Sequence, residues 1–188
     1  MPTEPASATT EQSPSDGPPR AVLIAASVVA VVALGVVLGI ATTRRTPAQP
    51  VAIASVPAPQ ADAPECQRLL DALPAALGDF QRATALDPVP AGTAAYRAGT
   101  EGDAVILRCG LDRPADFVVG TPLQMVNQVQ WFRLDDPDTD RSTWVSVDRP
   151  VYIALTLPTG SGPTPIQTMS DLIAQTMPGV PVKPGPAR

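Results

Sequence analysis

Val151-Tyr152-Ile153-Ala154-Leu155-Thr156-Leu157 alternates large apolar side chains with smaller or amphipathic ones. Successive side chains of a strand point to opposite faces, so Val151, Ile153, Leu155 and Leu157 share one face and Tyr152, Ala154 and Thr156 the other. A strand with one apolar face needs neighbours to pair with and a layer to cover it. Both can be read on the N-terminal side. Ala104-Val105-Ile106-Leu107-Arg108-Cys109, bounded by Gly102 and Gly110, is a second strand that puts Val105, Leu107 and Cys109 on one face. Residues 128–134 and 143–148 flank the polar stretch 135–142 and read as a hairpin with a longer loop.

Two helices supply the covering layer. Asp62-Ala63-Pro64-Glu65 has the form of a capping box, with Asp62 accepting from the first-turn amides and Glu65 reaching back. Cys66, Leu69, Leu70 and Leu73 follow at helical spacing on one face. Pro74 ends or kinks this helix, and Leu77 is expected in a second short turn before Gly78. Thr164 can cap the other helix, with Pro165 in its first turn and Gln167 completing a T-x-x-Q box. Ile166, Met169, Ile173 and Met177 form its apolar face before Pro178 and Gly179 stop it. The order helix, strand, hairpin, strand, helix predicts an α+β fold. It is a small, mainly antiparallel sheet of about four strands with two flanking helices, preceded by one transmembrane helix.

Proline marks the limits of this domain. Of the 24 prolines in 188 residues, 14 fall in residues 1–20, 47–64 and 178–188, while all seven aromatic residues lie between Phe80 and Tyr152. The expected division is a disordered tail over 1–20, a span over 21–41, a linker over 42–61, the folded domain over 62–178 and a second disordered tail over 179–188.

Residues 21–41 run AVLIAASVVAVVALGVVLGIA without a charge, about the length that crosses a bilayer as a helix. Arg44 and Arg45 follow this run and Arg20 precedes it, a charge balance that leans one residue towards a cytoplasmic C-terminal part. Long domains translocate largely regardless of such a margin. The expected location is therefore the cell membrane, in a single pass, with the C-terminal domain outside. Gly35 and Gly39 form a G-x-x-x-G step that would let two such helices approach closely and dimerise.

Cys66 and Cys109 both point at the helix-to-sheet interface, where a disulfide would pin the two layers. Export favours that bridge, and two buried thiols in a reducing compartment are the alternative. The chain has no histidine. That removes Ser/His/Asp and Cys/His catalysis and His-ligated zinc; neither a metal nor another cofactor is expected. Asp136, Asp138 and Asp140 have the D-x-D-x-D spacing that a hard cation prefers, but Arg141 stands where a calcium loop needs its turn glycine, so at most a weak cation site is expected. Arg108 and Arg113 are candidate ligand contacts, since a guanidinium fork suits carboxylates and phosphates. Residues 62–178 hold 15 acids against 8 arginines, which disfavours nucleic acid as a partner.

The landmarks Cys66, Leu69, Leu73-Pro74 and Arg82, then Leu107-Arg108-Cys109-Gly110 and Arg113-Pro114, then Val129-Gln130-Trp131, Trp144, Arg149 and Tyr152, come in a telling order. Over about residues 64–173 they resemble an actinobacterial family of secreted or membrane-anchored proteins catalogued as domain of unknown function 3515. L-R-C-G-x-x-R-P is the most specific piece. The chain departs from the family at residues 96–103, where a Trp-Gly and a Pro pair would be expected. The resemblance implies an envelope protein and lends no activity and no catalytic residue. The expected function is a membrane-anchored envelope protein whose outer domain is a non-catalytic binding or accessory module, partnered by an envelope protein or a cell-wall ligand. The alternatives are a carboxylate-dependent hydrolase of wall polymers and a structural subunit of a membrane complex.

Overall fold

The computed structural model describes residues 20–43 and 49–187. It divides the chain into two units, Met1–Thr46 and Pro47–Arg188. The first unit contains helix α1, Arg20–Thr43. Its large apolar side chains, Val22, Leu23, Val29 and Val31 among them, are exposed. The transmembrane helix expected ahead of the domain is not carried by the described residues, none of whose helices is long and apolar enough to cross a membrane. The expected tail 1–19 and residues 44–48 of the linker lie outside the described residues.

The second unit is built on a sheet twice the expected size. Its strands are β1 Ala76–Leu77, β2 Phe80–Ala83, β3 Thr93–Arg97, β4 Ala104–Leu111, β5 Gln124–Val126, β6 Val129–Asp136, β7 Arg141–Ser146 and β8 Tyr152–Pro158. They run in the order β1-β2-β3-β4-β8-β7-β6-β5, and every pairing is antiparallel. This corrects the expectation of about four strands. The four strands read from the sequence, β4, β6, β7 and β8, form the centre and one wing, and β1, β2, β3 and β5 were missed. Strands of two to five residues such as Ala76-Leu77, Gln124-Met125-Val126 and the alanine-rich Thr93-Ala94-Ala95-Tyr96-Arg97 carry too little alternation to stand out. Residues 96–103, where the family resemblance breaks, hold the end of β3 and the turn into β4.

On the inner face of the sheet lie α2, Pro64–Asp71, and α3, Thr164–Thr176. Cys66 and Leu69 of the first, and Ile166, Met169 and Ile173 of the second, join Leu107, Cys109, Trp131, Ile153 and Leu155 in one buried core. Neither expected capping box forms. Ala63 and Pro163 occupy the cap positions with no side-chain hydrogen bond, because each proline-containing first turn starts one residue away from the predicted cap. Glu65 instead pairs with Arg68 at 3.1 Å, and Leu77, expected in a helical turn, is the buried residue of β1.

The outer face is covered by the two segments that were expected to be linker and tail. Val51 and Ile53 are buried against Ala95, Ala104 and Ile106, and Val51 pairs with the backbone beside β2, its amide donating to Thr84 and its carbonyl accepting from Leu86, both at 2.8 Å. At the other end Val180 donates to the Asp148 carbonyl at 2.9 Å, and Gly185 exchanges hydrogen bonds with Phe117 and Val119. The packed unit therefore extends well beyond 62–178. An eight-stranded sheet with helices on one side has a second apolar face, and these straps remove it from water. Gly110 is where the first strap crosses β4. Its φ is +86°, its carbonyl accepts from the Gln60 amide at 3.0 Å, and an added Cβ would lie 2.2 Å from the Gln60 carbonyl carbon. Only glycine permits both the backbone conformation and the approach. The register shift between Cys109 and Leu111 falls at this residue.

Candidate functional site

The residues singled out from the sequence do not converge. Cys66 and Cys109 form a disulfide, with Cα atoms 5.6 Å apart, that ties α2 to β4 beneath the helix layer. Both are fully buried. Arg108 lies on the outer face and its guanidinium donates to the Ala54 carbonyl at 3.4 Å. Arg97, four residues along the paired strand, donates to the Gln49 carbonyl. Burial pulls the Arg108 pKa below the ordinary guanidinium value, and its role is to fasten the first strap. Arg113 is exposed beside Gly185 of the second strap.

The three aspartates of the β6–β7 loop do not gather as ligands. Asp136 Oδ1 accepts from the amides of Asp138 and Thr139 at 3.1 and 3.3 Å, and the Thr139 side chain first, with these amides, holds the Asp136 pKa below the ordinary carboxylate value. Among the described residues no group of three or more His, Cys, Asp or Glu side chains could hold a metal ion. Around Gly35 and Gly39 an added Cβ would meet nothing within 4 Å.

A cleft of about 390 Å³ opens instead where the sheet outruns α3. The pairings Arg133↔Trp144↔Leu155 and Asp135↔Ser142↔Leu157 set two rows of inner-face side chains across β6, β7 and β8. The row before them, Trp131↔Ser146↔Ile153, is sealed by α3, whose Ser170 accepts from the Trp131 indole at 3.0 Å. Ile166 lies in the first turn of α3, and past that N-terminal end α3 no longer covers the sheet, so Arg133, Trp144 and Leu157 become the floor. The loop 159–162 is the far wall. It is held there by the Asp140 carbonyl, which accepts from both the amide and the hydroxyl of Thr159 at 3.0 Å.

The floor is chemically specific. The Arg133 guanidinium carbon sits 5.2 Å from the centroid of the Trp144 ring, a cation–π stack. The Trp144 indole donates to the Ser142 hydroxyl at 3.1 Å, which fixes the ring. Arg133 also meets Asp135 at 2.6 Å, with the two side chains 41% and 63% exposed. An ion pair this exposed contributes only about 0–1 kcal/mol, so an incoming anionic group can replace Asp135 at small cost. Arg141, on the rim, is already committed to Asp103 at 3.0 Å and to the Ala104 carbonyl at 3.2 Å. Asp135 is the one acid lining the cleft among the described residues. Two-carboxylate glycoside hydrolysis needs a second acid across the ligand.

Sequence reading did not find this site. Arg133 and Trp144 are opposite one another only once the hairpin register is known, and the glycine-rich loop 159–162 carries no phosphate-cradling pattern that would single it out. In the sequence Trp144 and Arg149 are named only as landmarks of a resemblance, and Tyr152 besides that only as a strand residue. No curated protein and no solved structure matches the chain. One family model does, over residues 25–182, and it is described as protein of unknown function, DUF3515. With the match running through the disulfide, the cleft, the first strap and the start of the second, the chain belongs to the DUF3515 family.

Proposed function

We propose that the second unit is a non-catalytic binding module working on the outer side of the cell membrane, with the Arg133–Trp144 cleft as its ligand seat. The observation that carries the reading is the cleft itself. It offers an aromatic ring, a guanidinium whose exposed partner is readily displaced, and a single acid. Such a floor suits a ligand with a flat or hydrocarbon face and one anionic group, as fragments of envelope polymers have. It lacks the acid pair of the hydrolase alternative. The disulfide supports an oxidising location. The uncharged run 21–41 supports attachment at a membrane.

The two tryptophans give a direct test. Trp131 is fully buried and Trp144 faces the cleft, so titrating the full chain with soluble cell-wall fragments should change Trp144 fluorescence saturably. Trp144→Phe should abolish the change and Arg133→Gln should weaken binding roughly tenfold, the effect of one charge-assisted contact. Fragments should be recovered uncut. A flat titration contradicts the seat, and cleavage that Asp135→Asn abolishes contradicts the non-catalytic role.

A further inference from the structure

A second concavity, of about 430 Å³, lies on the outer face where both straps meet the sheet. Gln60 of the first strap and Val180, Pro181 and Lys183 of the second close over Arg149 and Tyr152. Its charge runs against that of the domain. Residues 62–178 are acidic by seven charges, from 15 acids and 8 arginines, yet the concavity is lined by Arg149 and Lys183 and by no carboxylate.

Arg149 is built in rather than laid on. Its side chain is 3% exposed and is held by Asp148 at 2.9 Å and by the Gln128 carbonyl at 2.7 Å. Asp148 balances its charge, and the Arg149 Nε is buried with no hydrogen-bond partner. Buried donors are nearly always satisfied, so an orphaned one calls for a partner. The uncompensated charge in the lining comes from Lys183, exposed and in no ion pair among the described residues, and exposed Arg113 stands outside the lining, beside the second strap. Arg113 packs against Gly185, two residues beyond Lys183, and its field reaches the Tyr152 hydroxyl. That hydroxyl makes no hydrogen bond among the described residues and is free to donate.

We propose that this concavity binds a compact oxyanion, a carboxylate or a phosphate, seated between Lys183, Arg113 and the Tyr152 hydroxyl. Buried Arg149, neutralised by Asp148, forms the rigid floor beneath. Two mobile cations and one hydroxyl around a rigid guanidinium give charge-assisted hydrogen bonds to an acceptor-only group. The walls Val147, Pro150 and Pro181 leave room for a small apolar body behind it. The site exists only because both straps dock, so occupancy and docking of the second strap should be linked.

The test is calorimetric titration of the full chain with glycerol phosphate and with glucuronate, using sodium chloride at matched ionic strength as the control. At least one anion should bind saturably. The double variant Lys183→Gln with Arg113→Gln should weaken it at least roughly tenfold, since two charge-assisted contacts are lost. Both side chains are on the surface, so its melting temperature should match that of the parent. Arg68→Gln, on the exposed side of α2, should leave this affinity unchanged. Binding of one anion alone identifies the group, and comparable binding of both defines a general oxyanion site. No binding of either anion, or binding that survives the double variant, overturns the proposal.

Discussion

Two serines beside Trp131, one on α3 and one on β7, illustrate how a single oxygen is worth different amounts in different places. Ser170 accepts the Trp131 indole proton at 3.0 Å and donates to the Ile166 carbonyl at 2.7 Å. Ser170→Ala orphans a buried donor and should destabilise the fold by about 1–3 kcal/mol. Ser146, paired with Trp131 across the hairpin, is fully buried with a hydroxyl that has no partner. Ser146→Ala should be neutral or stabilising, since it removes an unsatisfied group. Denaturant melts of the two variants check both signs, and equal losses would show that their surroundings are wrongly assigned. The two tyrosines provide a second residue-scale check. Burial raises the pKa of Tyr96, against the opposing effect of Arg82, and that of Tyr152, against Arg113. A raised folded pKa means stability is full below the ordinary phenol range and falls as pH rises through it. Ultraviolet titration should show no tyrosinate in the folded chain where the denatured chain already ionises, and ionisation at the denatured value would contradict the burial.

Among the elements, the straps and the bridge carry the most consequence. The first strap buries Val51 and Ile53 and is fastened by Arg97 and Arg108. Ile53→Ala should cost about 2 kcal/mol, the lower end for a large-to-small change at a near-surface core position. An equilibrium melt checks this, and a cost near zero would mean that the strap is not docked in solution. The disulfide closes a loop with a sequence separation of 43, for which the chain-entropy model gives about 4 kcal/mol. Replacing Cys66 and Cys109 together by alanine should lower the melting temperature by on the order of 15 °C for a domain of this size. A shift of a few degrees would contradict that share. These elements also show what a sequence makes legible. β8 and β4 could be read because alternation is strong where one face meets the helices, and Cys66 and Cys109 were placed on facing surfaces from periodicity alone. The straps could not, because proline and alanine are the composition of a solvated linker, and only the sheet's second apolar face explains why they dock. The cleft was illegible for a related reason: it depends on where α3 starts relative to the strand ends, which no local pattern encodes.

At the scale of the whole molecule, the DUF3515 chain combines an acidic, disulfide-bridged sheet domain with an upstream helix that exposes its apolar side chains. Two concavities of different chemistry lie on opposite faces of that sheet, one floored by Arg133 and Trp144 and one roofed by the straps. The proposed placement outside a membrane would tie these features together, and the oxidation state of the cysteines in the cell tests it most directly. Since both are fully buried, a reagent applied to folded protein would miss them whatever their state. Cells should therefore be quenched in acid, and the protein alkylated in denaturant before and after reduction and mapped by mass. The expected result is no alkylation of Cys66 or Cys109 until a reductant is added. Alkylation of both before reduction would place the domain in a reducing compartment and contradict the proposed location.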